Sequence, residues 1–222
     1  MKMYLLLRRV VDVVVSLFAL IILLPLLVPL MLLLRVTGEG YVFYKQPRVG
    51  YKNQIFKIWK FATMLKDSPN MGTGDVTLRN DSRVTFVGKY LRKTKINELP
   101  QLINVLQGVM TLIGPRPLME AGFNRYNRIL KESVYNIKPG LTGIGSILFR
   151  DEEKLVTDSH LPPLECYERL VMPYKGALEI WYQNNMSFTI DLKIVFLTFW
   201  VILFPDSNLP KRVFKDLPVR EF

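Results

Sequence analysis

The chain has 222 residues, half of them hydrophobic and 22% charged, with a net charge of +11. That length allows one domain with a sizeable core plus a membrane element, and high hydrophobicity beside so many charges means that the apolar residues are segregated. The single cysteine, Cys166, excludes an internal disulfide, and the single histidine, His160, excludes a histidine metal cluster, so any metal would be a hard, oxygen-ligated ion such as Mg²⁺.

Residues 1–60 hold nine Lys/Arg against Asp12 and Glu39, which is +7 of the +11. Such basic surface around an apolar segment points to anionic lipid headgroups, at roughly 1 kcal/mol per well-placed cation. Nucleic acid is the weaker candidate, because no nucleic-acid module is visible. The apolar segment itself, Val13 to Leu34, is 22 residues without a charge and could just cross a hydrocarbon core of about 30 Å. Cations flank both of its ends, and Pro25 and Pro29 interrupt it. The positive-inside rule would keep both flanks on the cytoplasmic side, so a re-entrant helix hairpin broken at the prolines is favoured over a straight span.

Tyr41 to Tyr44 reads as a short strand, Gln46 to Gly50 as a turn, and Ile55 to Phe61, carrying Lys57 and Lys60, as a second strand. Residues 67–82, with Pro69, Gly72 and Gly74, read as a surface loop. Arg83, Lys89, Arg92, Lys93 and Lys95 then form an acid-free basic run. Leu99, Leu102, Ile103 and Leu106 recur at helical spacing, so Asn97 to Gln107 is predicted to be an amphipathic helix stopped by Gly108, with Pro100 in its first turn. Asn97 and Glu98 would sit at its N-terminus, either as an ordinary cap and first-turn acid or as part of an anion site. Gly114-Pro115-Arg116-Pro117 fixes the backbone on both sides of an arginine, presenting a guanidinium suited to bidentate phosphate binding. Helices are predicted over Leu118 to Lys131 and Leu164 to Leu170, a Gly/Pro turn over Lys138 to Gly143, and an acidic stretch over Asp151 to Asp158. Phe188 to Phe204, whose uncharged part is too short to span, is expected to lie in the membrane interface or, alternatively, to be a buried core helix.

These pieces, in order, resemble the bacterial sugar transferases, the small monotopic phosphoglycosyl transferases of the undecaprenyl-phosphate type. The resemblance covers nearly the whole chain. It rests on the proline-broken basic N-terminal segment, Gln46-Pro47-Arg48-Val49-Gly50, Phe56 to Phe61 with Thr63-Met64, Leu91-Arg92-Lys93-Thr94 and Glu98-Leu99-Pro100-Gln101-Leu102. It continues through Asn104-Val105-Leu106, Gly114-Pro115-Arg116-Pro117, Pro139-Gly140-Leu141-Thr142-Gly143, and Ser187-Phe188 with Asp191-Leu192-Lys193. It implies a mostly helical α+β fold, with residues 1–38 as the membrane-embedded hairpin and residues 39–222 as a cytoplasmic catalytic domain with an interfacial helix near 188–204. The implied location is the bacterial cytoplasmic membrane, and the minimal form of the family is expected, with nothing before this core.

The implied reaction moves a sugar 1-phosphate from a UDP-sugar to polyprenyl phosphate, the first step of exopolysaccharide or glycoconjugate assembly. In the family an Asp-Glu pair at the helix start carries it, with the aspartate forming a covalent intermediate and Mg²⁺ and arginines neutralising charge. Here Asn97 stands where the aspartate would be, and Ala62 replaces the basic residue usual before Thr63-Met64. The resemblance carries over Glu98 as catalytic and metal-binding, with Arg92, Arg116, Lys60 and Arg48 binding phosphate or nucleotide, and Pro25 and Pro29 in the membrane. Expected partners are the UDP-sugar, polyprenyl phosphate and membrane lipids, with room for a homo-oligomer and none for nucleic acid. Because Asn97 is no carboxylate, two readings stay open: a transferase using Glu98 or another carboxylate, or a catalytically impaired sugar-nucleotide-binding membrane scaffold.

Overall fold

The first element is α1, a helix from Lys2 to Val36, in a computed structural model that describes residues 2–37, 39–71, 81–150 and 152–220. By length and composition it is the one described helix able to cross a membrane. Pro25 and Pro29 lie inside it on its exposed side, and the chain stays helical through both. The break expected at these prolines is therefore not seen. Each proline removes only its own bond to the carbonyl four residues back, and the prolines stand one turn apart on a single face, so the helix tolerates them.

Both ends of α1 touch the rest of the molecule. Near its start, Arg9 donates to the carbonyls of Val105 (2.5 Å) and Leu106 (2.8 Å), and Asp12 accepts from the Thr111 hydroxyl (2.6 Å) and the Leu112 N–H (3.0 Å). Arg8 donates to the Ile113 carbonyl and lies 3.9 Å from Asp191, which also accepts from the hydroxyls of Tyr4 and Tyr182, each at 2.7 Å. Towards its end, Leu27 and Leu34 are buried against Phe61 and Leu91.

An antiparallel hairpin follows, β1 (Phe43–Val49) with β2 (Ile55–Phe61), paired from Phe43↔Phe61 to Val49↔Ile55. The predicted turn over 46–50 is thus mostly strand, and the reversal falls at Gly50 to Gln54. Pro47 is tolerated because this two-stranded sheet leaves β1 with a free edge. Most of the loop predicted over 67–82 lies outside the described residues. Arg83 at its end is committed to structure, bound to Asp81 at 2.6 Å and to the carbonyls of Ser68 and Met71.

Helix α2 (Phe86–Lys93) is capped by the Thr85 hydroxyl, which accepts from the Gly88 N–H at 3.0 Å. Next come α3 (Gln101–Gln107) and β3 (Thr111–Ile113), which pairs in parallel with β4 (Gly140–Thr142). Between those strands the predicted helix over 118–131 is split into α4 (Glu120–Asn124) and α5 (Arg128–Ser133), because Asn127 caps a fresh start through the Leu130 N–H. The remaining helices are α6 (Ile144–Leu148), α7 (Glu152–Thr157), α8 (Pro163–Cys166), α9 (Met172–Asn184), α10 (Phe188–Leu203) and α11 (Leu209–Val213), with a wide π turn over Tyr167–Val171 joining α8 to α9.

The main core collects Ile113, Ile144, Leu178, Tyr182, Ile194, Leu197 and Val201. Helix α10 packs into the core on one face, where Ile194, Leu197 and Val201 are buried, whereas Leu192, Phe196, Phe199 and Leu203 on other faces are exposed. The fold is the mostly helical α+β arrangement expected, with two small sheets.

Candidate active site

The chain reverses at Lys95, whose φ of 61° is left-handed, and enters a single 3₁₀ turn, Ile96–Glu98, that presents Asn97 and Glu98. These two residues precede α3 rather than open it, since Pro100 is the residue before its first turn. The helix-dipole contribution expected for them is correspondingly reduced, and side-chain charges have to supply the field. Asn104 of α3 accepts from the Trp59 N–H and donates to the Lys57 carbonyl, each at 2.9 Å, fixing α3 to the strand that carries Lys60.

Opposite Glu98 stands the Gly114-Pro115-Arg116-Pro117 turn. It is seated on the 139–143 segment by backbone contact: Gly114 N–H donates to the Thr142 carbonyl (2.8 Å) and Gly140 N–H to the Pro115 carbonyl (2.9 Å). A Cβ on Gly114 would come within 2.7 Å of the Lys138 carbonyl oxygen and 2.9 Å of Gly140 N, so only glycine lets the two segments close. The Tyr135 hydroxyl then bridges the turn, donating to the Arg116 carbonyl (2.9 Å) and accepting from the Leu118 N–H (2.8 Å). Buried Glu179 faces the Arg116 backbone, which favours its charged form. Tyr135 thus holds the turn on both sides of Pro117, which the flanking prolines alone do not explain.

The guanidinium of Arg116 grips Glu98 with two bonds, 2.6 and 3.2 Å, and Lys60 Nζ lies 3.9 Å from the same carboxylate. Burial alone would raise the Glu98 carboxyl, but Arg116 and Lys60 outweigh it and hold the group well below the usual carboxylate range. The carboxylate form of Glu98 is thereby favoured. Lys60 moves the other way. Burial lowers its ammonium to about 7 despite Glu98, with Arg48, Arg116 and Arg92 adding like-charge repulsion. Arg48 is lowered to about 10 by burial and by Arg116, and it bonds Gln46 (2.6 Å) and the Pro117 carbonyl (3.2 Å).

All six residues expected at the site, Arg48, Lys60, Arg92, Asn97, Glu98 and Arg116, line one cavity. Pro25 and Pro29 do not. Asn97 is buried, and its Oδ1 has no hydrogen-bond partner among the described residues. Among these six, one carboxylate stands with four cations, and the cavity lining as a whole also holds more Lys and Arg than Asp and Glu, an excess of positive charge suited to a polyphosphate. No group of three or more acidic, histidine or cysteine side chains gathers for a metal among the described residues. Sequence reasoning missed Tyr135, Glu179 and Asp12. A lone acid at the head of an apolar run was the available signal for Asp12.

The model of the family described as bacterial sugar transferase matches residues 3–205. The chain belongs to this family. Among curated relatives of this sugar transferase, the undecaprenyl-phosphate glucose phosphotransferase of Komagataeibacter xylinus is 34% identical over 196 residues, covering 86% of this chain and 35% of its own. The UDP-glucose:undecaprenyl-phosphate glucose-1-phosphate transferase of Escherichia coli K12 is 36% identical over 196 residues, 87% of this chain and 39% of its own. The exopolysaccharide production protein PSS of Rhizobium leguminosarum bv. phaseoli is 34% identical over 201 residues, 88% of this chain and 94% of its own. The sugar transferase chain thus spans well under half of the first two relatives and nearly all of the third.

Proposed function

We propose that this chain is a phosphoglycosyl transferase that moves a sugar 1-phosphate from a UDP-sugar to a polyprenyl phosphate, initiating polysaccharide assembly at the cytoplasmic face of the bacterial membrane. The observation that carries the reading is ionised Glu98, held between Arg116 and Lys60 in a cation-lined cavity. An incoming pyrophosphate competes with Glu98 for the Arg116 fork and so releases the carboxylate at the moment the donor is seated. A Glu98 oxygen then forms a bond to the β-phosphorus, the bond from that phosphorus to the bridging oxygen breaks, and UMP leaves with the electron pair. In the second half, a phosphate oxygen of the polyprenyl acceptor attacks the same phosphorus and Glu98 departs as carboxylate. Arg48, Arg92, Arg116 and Lys60 stabilise the charge on the transferring group throughout.

Mg²⁺ fits the oxygens present. Asn97 Oδ1, buried and unpartnered among the described residues, and Glu98 would hold it together with donor phosphates, and such an ion keeps most of its shell from substrate and water. When bound it offsets phosphate charge. Membrane association is monotopic in this reading: residues 1–38 embed in one leaflet, and 39–222 form the catalytic domain. Support comes from the basic residues at both ends of α1 and from the contact of both ends with the same globular body, which an upright span would not allow. The binder-only alternative rests on Asn97 alone, which stands where the family's carboxylate nucleophile would be. The test is mass spectrometry of protein incubated with UDP-glucose alone. A phosphosugar adduct is expected on Glu98, with UMP released, and no adduct and no UMP would refute the reaction.

A further inference from the structure

The cavity that holds Glu98 has a second group of polar side chains besides the cations. Glu152 at the start of α7, Tyr167 at the start of the π turn and Lys175 of α9 line the same space. They form one cluster. Lys175 Nζ is paired with Glu152 Oε2 and stands 5.7 Å from the centre of the Tyr167 ring and 5.2 Å from that of Phe149. The cluster borders the arginines. Glu98 first, and Glu152 after it, raise the Arg116 guanidinium; burial and then Glu152 push the Tyr167 hydroxyl up, against the pull of Arg125, Arg116 and Arg48. Such mutual influence requires the charges to lie close together. The pair is also open to a ligand, since the Glu152 side chain is 27% exposed and that of Lys175 14%. Tyr167 opens a π turn, a rare local geometry that falls frequently at functional sites.

We propose that Glu152, Lys175 and Tyr167 form the subsite that reads the hydroxyls of the donor's hexose and so sets which UDP-sugar is used. The inference rests on the transferase reading and adds which side chains select the sugar. A carboxylate beside an ammonium carries no net charge yet presents acceptors and donors together, and the tyrosine adds a hydroxyl and an apolar ring face. A polyhydroxyl ring matches that set. A phosphate does not, because Glu152 would repel it, and phosphates already have the arginines. In a nucleotide sugar the hexose is the neutral polyhydroxyl group joined directly to the β-phosphate, so seating that phosphate at Arg116 brings the hexose to this neighbouring cluster. The ribose of the nucleotide shares the same chemistry, and the experiment separates the two.

The experiment uses the full chain in lipid nanodiscs. Exchange of labelled UMP into UDP-glucose, UDP-galactose and UDP-N-acetylglucosamine reports the first half-reaction for each donor, and inhibition by UMP alone reports the nucleotide without its hexose. Glu152→Gln keeps the size and loses the charge, and Tyr167→Phe removes only a hydroxyl. Each is expected to lower kcat/KM for the best of the three donors about tenfold or more and to change its ratio to the other two, with the UMP inhibition constant held within about twofold. An ion pair that merely pins α7 to α9 would lower Tm and leave those ratios alone. Independently of either variant, a UDP-sugar carrying a photoreactive group on the hexose is expected to label peptides containing Glu152, Tyr167 or Lys175. Unchanged donor ratios in both variants, UMP inhibition weakened as much as donor use, or labelling confined to other segments overturns the assignment. Absence of exchange with all three donors in the unsubstituted chain overturns the transferase reading itself, and the assignment with it.

Discussion

Glu179→Gln makes the sharpest test of how the Arg116 turn is held. Glu179 is 5% exposed, its carboxyl faces the Arg116 backbone, and a Cβ on Gly145 would come within 2.6 Å of its Oε1. Burial raises this carboxyl from 4.5 to about 8, with Lys175 and the Arg116 backbone only partly opposing. The folded state therefore keeps its proton through neutral pH while the unfolded chain releases it above the ordinary value, so stability falls as pH rises between those two values. At about 1.36 kcal/mol per pH unit, the loss from Glu179 alone between pH 5 and pH 8 is about 4 kcal/mol. For a chain of this length that is on the order of 10 °C in Tm. Glutamine matches the protonated acid in shape, and it cannot ionise. Thermal unfolding in detergent across that pH range should show the Tm of Glu179→Gln falling much less than that of the unsubstituted chain, with the two nearly equal at the acidic end. Parallel curves would refute the buried, proton-bearing carboxyl, and a variant destabilised most at the acidic end would refute the reasoning about its shape.

Arg116→Lys keeps the charge and loses the fork, so donor kcat/KM should fall by about one to two powers of ten for a lost charge-assisted bond worth roughly 1.5–3 kcal/mol, measured as UMP release, with little change in Tm. Lys60 near 7 binds anions best when protonated; donor KM should climb as pH rises through neutrality and flatten in Lys60→Arg, which stays charged, as steady-state kinetics over a pH series would reveal. Glu98→Gln should abolish UMP release. Asn97→Asp should leave UMP release equal or higher, since the neighbouring cations favour a second carboxylate, and a clear loss there would argue that the amide oxygen has a role a carboxylate cannot fill.

Two of the candidate site residues stand in unusual local frames, Arg116 between two prolines and Glu98 after a basic run, whereas Lys60 and Arg48 were given a role only by the family resemblance. Their convergence depends on contacts far apart in the chain, such as Asn104 holding α3 to β2 and Gly114 closing on Gly140, and periodicity carries no information about those. Tyr135 and Glu179 were invisible for the same reason. A tyrosine and an acid within helical or loop segments look ordinary until the Arg116 backbone arrives between them. The helix over 118–131 was misjudged at Asn127, where a capping side chain outweighed a continuous helical pattern. In the apolar segment, proline was given more breaking power than it has in a long helix that loses only isolated bonds.

The polar cluster that fastens the start of α1 has a consequence for the register of that helix. A uniformly apolar helix in lipid slides and rotates with little resistance, because every position along it resembles the next. Arg8 and Asp12, bonded to residues 111–113 and to Asp191, allow one depth and one rotation only, since any slip would strip partners from buried charges. Helix α1 is thereby locked in one register against β3, whose last residue lies three before Arg116, so a change that frees Arg8 or Asp12 also loosens the frame from which that arginine is presented.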